Sequence, residues 1–163
     1  MGEDPSKEEL NYAFKALENS DSVEIVTVAA SILSESSKKV LLKLIKKIPS
    51  YRLQTRIILI PILSSSEYVE TYAFMIKALK TETNEGMLLL LMTALSKTPY
   101  PIFPLLLAHL NDESKDFREQ IKSIMKKIGF ENVREALSIF PELPHESHLR
   151  EVFGDKNIES ILK

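Results

Sequence analysis

Between Ser37 and Arg56 the chain carries Lys38, Lys39, Lys43, Lys46, Lys47, Arg52 and Arg56, with no acidic residue among them. The formal net charge of the whole chain is only -2, so the concentration is local. Residues 1–35 hold eight acids and two bases, whereas residues 36–66 hold seven bases and no acid. Read as a helix, this stretch gathers Lys39, Lys43, Lys46 and Lys47 on one side and Leu41, Leu44, Ile45 and Ile48 on the other. A cationic amphipathic helix of this kind can engage an acidic protein, a phosphate backbone or anionic lipid. The competing reading is an ordinary helix whose outer face lysine keeps soluble. Arg52 and Arg56 stand four residues apart beyond the break at Pro49 and extend the cationic surface. Tyr51, beside Arg52, adds an aromatic ring able to stack or to fill a partner's pocket. Lys39, Lys43, Lys46, Lys47, Tyr51, Arg52 and Arg56 are therefore the candidate partner-binding residues.

Other reactive constellations are sparse. The chain has no cysteine, which excludes disulfides, thiolate metal sites and cysteine nucleophiles. His145, Glu146 and His148 lie close in sequence, but the spacing is HxxH rather than the HExxH of zinc metalloproteases, no third strong ligand stands nearby, and no metal is expected there. His109 stands alone between Ala108 and Leu110. A second basic strip, Lys115, Arg118, Lys122 and Lys126, is interleaved with Glu113, Asp116 and Glu119, the pattern of an ion-paired solvated face. Tyr51, Tyr68, Tyr72 and Tyr100 recur near helix starts or segment junctions, and Tyr72 falls in an apolar column. No glycine-rich phosphate loop or GxSxG motif occurs, so no catalytic residue and no cofactor is assigned.

The elements that position these residues are helices. Four glycines in 163 residues and little strand-like alternation favour helix throughout. Ser6 with Glu9 forms a capping-box pattern, and Asp21 with Glu24 opens a second helix with Ile25, Val28, Ala29, Ile32 and Leu33 as its apolar face. A third helix runs from Ser36 or Ser37 to Ile48. Further helices are expected near 51–63, 66–80, 83–97, 100–110, 113–128, 131–139, 145–153 and 156–162. Pro61 is expected to kink the first of these. GMLLLLMTAL is too short to span a bilayer, which takes about 20 residues, and reads as a core helix.

Cut into equal blocks 20–50, 51–81, 82–112 and 113–143, the chain shows one helix pair in each. Val28, Leu59, Leu90 and Ile121 share one column, and Ile32, Leu63, Ala94 and Met125 another, four residues on. In the second helix of each pair Leu44, Met75, Leu106 and Leu137 align. Leu41, Tyr72 and Phe103 also align, as do Ile45, Ile76 and Leu107, and Ile48, Leu79 and Leu110. Helical pairs at a fixed period bury their apolar faces against their neighbours and stack into a solenoid.

The segment from Leu105 to Leu137 resembles the short HEAT-like repeat of the PBS-lyase type. Leu105, Leu106 and Leu110 match the end of one of its helices, Asp112 the start of the next, and Phe117–Arg118 its Val–Arg position. Ile121, Ile124, Met125, Ile128 and Gly129 match its apolar-then-glycine ending. Asp112 would cap the helix, and Gly129 would stop it in a left-handed conformation. The resemblance implies an all-α superhelix of about four helical pairs, forming a single domain. Residues 1–19 would be an N-terminal helix, 20–143 four repeats of equal length, one to each block, and 144–163 a C-terminal cap. It implies a curved scaffold that binds other macromolecules.

Together these features point to a non-catalytic protein–protein interaction scaffold or adaptor with an acidic partner. A nucleic-acid-binding protein using the basic 38–56 surface is the alternative. The acidic opening MGEDPSKEEL is unlike a secretory leader, and a cytoplasmic location is expected.

Overall fold

The computed structural model describes residues 4–98 and 101–162. Tyr100, one of the aromatic candidates, lies outside them. Among the described residues the chain is all-helical, with no strand. The helices are α1 (Lys7–Asn19), α2 (Val23–Ser34), α3 (Lys38–Lys47), α4 (Leu53–Leu63), α5 (Val69–Thr81), α6 (Glu85–Lys97), α7 (Phe103–Leu107), α8 (Lys115–Ile128), α9 (Phe130–Ser138), α10 (Glu146–Phe153) and α11 (Asp155–Glu159). A 3-10 turn, Ile48–Ser50, follows α3. No helix among the described residues is long and apolar enough to cross a membrane.

The chain forms two compact units, Met1–Met75 and Ile76–Lys163, and the boundary falls inside α5. In the first unit α2 packs against α1, α3 and α4. In the second, α8 packs against α6, α7, α9 and α10, and α10 packs on α11.

Local chemistry sets the helix starts. Ser6 accepts a hydrogen bond from the Glu9 N–H at 3.2 Å, while Glu9 accepts one from the Ser6 N–H at 2.7 Å, so the expected capping box is present. The cap of α2 is Ser22 rather than Asp21: its hydroxyl accepts from the Ile25 N–H at 3.3 Å. Likewise α8 is capped by Ser114, which accepts from the Phe117 N–H, and not by Asp112. Asp112 instead accepts from the Ser114 N–H at 2.9 Å and so holds the turn leading into the cap. Helix α4 continues through Pro61 to Leu63, since a proline two residues from the end removes only one late ladder bond.

Gly129 does end α8 at positive φ, but at φ 87°, ψ 148°, outside the left-handed helical region expected for it. Gly154 repeats the geometry between α10 and α11, at φ 83°, ψ 149°. In both corners an asparagine three residues later ties the join. Asn132 donates to the Ile128 carbonyl at 2.6 Å, and Asn157 to the Phe153 carbonyl at 2.8 Å. The two short sequences IGFEN and FGDKN thus encode one corner.

Burial recurs along the chain in two different rhythms. From α1 to α7 the odd-numbered helices keep the interval of the equal blocks. Leu41, Tyr72 and Phe103 are buried, as are Leu44, Met75 and Leu106, and Ile48, Leu79 and Leu110. Helix α1 joins the same columns through Ala13 and Leu17, both fully buried, so it repeats the pattern of α3. Leu137 is fully buried as its column requires, although α9 reproduces α7 best at a shorter step, with Phe130, Val133 and Leu137 answering Phe103, Leu106 and Leu110.

The even-numbered helices each bury an i, i+4 pair: Val26 and Ala30, Leu59 and Leu63, Leu91 and Leu95, Ile121 and Met125, Leu149 and Phe153. From Val26 to Leu59, then to Leu91, Ile121 and Leu149, each step is shorter than the one before, so the interval contracts along the chain. A constant cut therefore slips on α2 and α6. Val28, expected in the core, is 59% exposed, and Val26 takes its place at 3%. Leu90 is half-buried, and Leu91 is the core residue.

Candidate cation surface on the third helix

Helix α3 turns Leu41 and Leu44 inward, both fully buried, and Ile48 continues that face into the 3-10 turn. Helical geometry then places Lys39, Leu42, Lys43 and Lys46 within an arc of about 100° on the opposite side. The three lysines are exposed and Leu42 is half-buried. From Lys39 to Lys46 this stripe runs about 10 Å along the helix.

Six of the seven cations of the acid-free segment divide into two groups. Three are paired to carboxylates brought in from flanking helices. Lys38 reaches Glu70 of α5 at 2.5 Å, Lys47 reaches Glu18 of α1 at 2.5 Å, and Arg52 reaches Asp21 at 2.5 Å. Arg52 also donates to the Ser20 carbonyl at 2.7 Å. The Lys38 contact holds the Glu70 carboxyl below its ordinary range. Lys39, Lys43 and Lys46 meet no carboxylate among the described residues. Lys43 lies 4.7 Å from the centre of the Phe14 ring and shares that ring with Lys47 at 5.3 Å, which draws this edge of α3 toward α1. Arg56 is half-buried on α4.

Tyr51 does not belong to this surface. It is 6% exposed, and its hydroxyl is buried without a hydrogen-bond partner among the described residues. Burial, helped by the Glu18 charge, pushes its pKa up to about 12. The ring is part of the buried core and is not presented at the surface. Tyr72 is buried too, with its hydroxyl within hydrogen-bond distance of the Ser64 and Ser66 carbonyls, at 3.0 and 2.6 Å.

The ion pairs share a spacing that the apolar columns did not disclose. Glu18–Lys47, Asp21–Arg52, Lys38–Glu70, Lys80–Asp112 and Lys122–Glu151 all join residues about one helix pair apart in the chain. Charges, like apolar residues, therefore recur at the interval of the helix pairs. Reading acid–base pairs at that separation would have found the partners of Lys47 and Arg52 in advance.

The other candidates are structural in their contacts. Arg118 donates to the carbonyls of Asp112 and Glu113, and Lys122 bridges Glu119 and Glu151, joining α8 to α10. Lys80 pairs with Asp112 at 2.7 Å, and that contact with the Ser114 N–H holds the Asp112 carboxyl below its usual range. His109 meets the Phe117 ring edge-on at 5.5 Å. Glu146 pairs with Arg150 at 2.8 Å, and His148 Nδ1 lies 3.9 Å from Glu151. No group of three potential metal ligands gathers among the described residues.

Sequence reasoning also missed an apolar exposure. Helices α2 and α4 are apolar on nearly every side, and their outward positions leave Ile25, Val28, Leu53 and Ile57 exposed. The signal was present in α4, whose sequence LQTRIILIPIL has almost no polar face to offer solvent.

No family model, no curated protein and no solved structure matches this chain.

Proposed function

We propose that this chain is a non-catalytic binding module, a scaffold or adaptor built from HEAT-like helical pairs, whose partner is an acidic protein engaged at α3. The observation that carries this reading is the division of the cations. Lys38, Lys47 and Arg52 are each paired to a carboxylate, whereas Lys39, Lys43 and Lys46 between them are exposed and meet none among the described residues. Exposed pairs are worth about 0–1 kcal/mol each, so pairing mainly sets local register. Unpaired cations on a helix held rigid by its buried face supply electrostatic steering and complementarity to an anionic partner. The recurring burial of the odd- and even-numbered helices supports the HEAT-like part of the reading, because each helix pair there buries its apolar residues against neighbouring helices.

Phosphate backbones are the weaker match for this surface. Three unpaired cations release few counterions, whereas tight nonspecific nucleic-acid binding uses about 6–10 phosphate contacts. Glu18 and Glu70 lie on either side of the stripe and would repel a polyphosphate running across it. Lipid insertion would need the apolar face of α3, which is already buried.

The test is affinity capture from the source cell with the intact chain and with Lys39→Glu/Lys46→Glu, followed by identification of bound protein and nucleic acid. Proteins retained by the first and lost from the second support the proposal. Identical capture by both chains, or a turnover abolished by one side-chain change, overturns it.

A further inference from the structure

The chemistry of the α3 stripe specifies its partner further, and the inference rests on the reading just given. We propose that the partner segment is an acidic amphipathic helix, with carboxylates flanking one apolar side chain, lying lengthwise along α3 over Lys39, Leu42, Lys43 and Lys46.

Three features of the surface carry this. The first is spacing. Lys39 to Lys43 is four residues and Lys43 to Lys46 three, or steps of about 6 and about 4.5 Å along the axis. A helix laid alongside presents carboxylates at i, i+4 and i+7 with the same two steps. An extended chain presents same-side residues about 6.7 Å apart and falls out of step after the second contact.

The second feature is Leu42. It is half-buried at one edge of the stripe, level along the helix with the span from Lys39 to Lys46, so the stripe offers one apolar spot beside its three exposed lysines. An apolar side chain at the centre of an acidic helix would cover it and exclude water from the surrounding ion pairs. Free phosphate or a nucleic-acid backbone has nothing to place there.

The third feature is the boundary. Lys47 is held by Glu18 on one flank and Lys38 by Glu70 on the other, and Lys38 also lies 5.7 Å from the Tyr68 ring. These carboxylates flank the cationic stripe on both sides. A single helix lying between them avoids both, whereas a broad anionic surface would meet them.

The test uses the full chain and a fluorescein-labelled alanine-based peptide with glutamates at i, i+4 and i+7 and leucine at i+3. A second peptide, identical except for a central proline in place of one alanine, has its helix broken. A thymidine 20-mer and phosphatidylserine vesicles complete the set, all read at low salt by anisotropy or flotation. The helical peptide is expected to bind at least tenfold tighter than the broken one. Lys39→Glu/Lys46→Glu should weaken it about tenfold or more, because two exposed pairs become like-charge contacts. Leu42→Ala should weaken it a few-fold with the lysines intact. Circular dichroism and urea unfolding of each variant establish that the fold is retained.

Equal binding of helical and broken peptides, both sensitive to lysine reversal, overturns the helix and leaves the lysine surface standing. Preference for the oligonucleotide or the vesicles over the helical peptide overturns the inference in favour of a phosphate ligand. Peptide binding unaffected by reversal, or no binding of any probe, overturns the inference. Loss of a captured cellular protein on reversal would then still uphold the broader proposal.

Discussion

Two valines two residues apart on α2 give a sharp test of the register. The constant interval of equal blocks puts Val28 in the core, and the structure puts Val26 there, at 3% exposure against 59%. Truncation of each to alanine removes the same atoms from the same helix, so intrinsic propensity cancels between them. That propensity favours alanine by about 0.5 kcal/mol. At Val26 the lost burial is about two methylene equivalents at about 0.8 kcal/mol each, with a further cavity cost in a packed neighbourhood. The expected net loss for Val26→Ala is about 1.5–2 kcal/mol. At Val28 less than half of the side chain is covered, so the lost burial of about 0.6 kcal/mol offsets the propensity gain and the net is close to zero. Urea unfolding followed by circular dichroism reads both, with unchanged m-values establishing that midpoints report stability. Equal losses, or a larger loss at Val28, would refute the contracting interval of the even-numbered helices.

Three further outcomes follow from local geometry. Gly129→Ala should cost about 1–3 kcal/mol in urea unfolding, because the corner holds φ 87°, ψ 148°, and the nearest atom to an added Cβ is 4.0 Å away, leaving backbone strain as the cause. Tyr51→Phe should leave stability at pH 7 unchanged or raise it by up to about 1 kcal/mol, since it deletes a buried hydroxyl with no partner among the described residues. The wild-type chain, whose folded Tyr51 titrates at about 12 against about 10 unfolded, should lose stability as pH rises from about 10 to about 12, and the variant should lose less. Asp112 is held ionised by Lys80, so its contribution is present at neutral pH and lost as pH falls below about 4; Asp112→Asn should flatten that part of an acid-unfolding curve.

Much of the helix order was legible because apolar spacing and caps act locally. Ser6 and Glu9 announce their capping box, and Leu41, Tyr72 and Phe103 announce the odd-numbered helices at a constant interval. The even-numbered helices were misplaced where connection lengths change, because a fixed cut cannot follow an interval that shrinks at every step from Val26 to Leu149. Asp21 and Asp112 look like caps in sequence, yet a serine one or two residues later caps each helix and frees the carboxylate to pair with Arg52 or Lys80. The candidate surface was half legible. Sequence disclosed the seven cations. It did not disclose that Glu18, Asp21 and Glu70, remote in the chain, neutralise three of them, nor that a tyrosine inside a basic stretch would be needed as filling.

The central claim, that Lys39, Lys43 and Lys46 meet the partner, is tested most directly by lysine-selective acylation read by mass spectrometry, with and without the captured protein. Free chain should label at those three lysines and at the exposed Lys126 and Lys127 of α8. With partner bound, the three α3 lysines are expected to lose labelling while Lys126 and Lys127 keep it. Undiminished labelling of Lys39, Lys43 and Lys46 in a saturated complex would contradict the account.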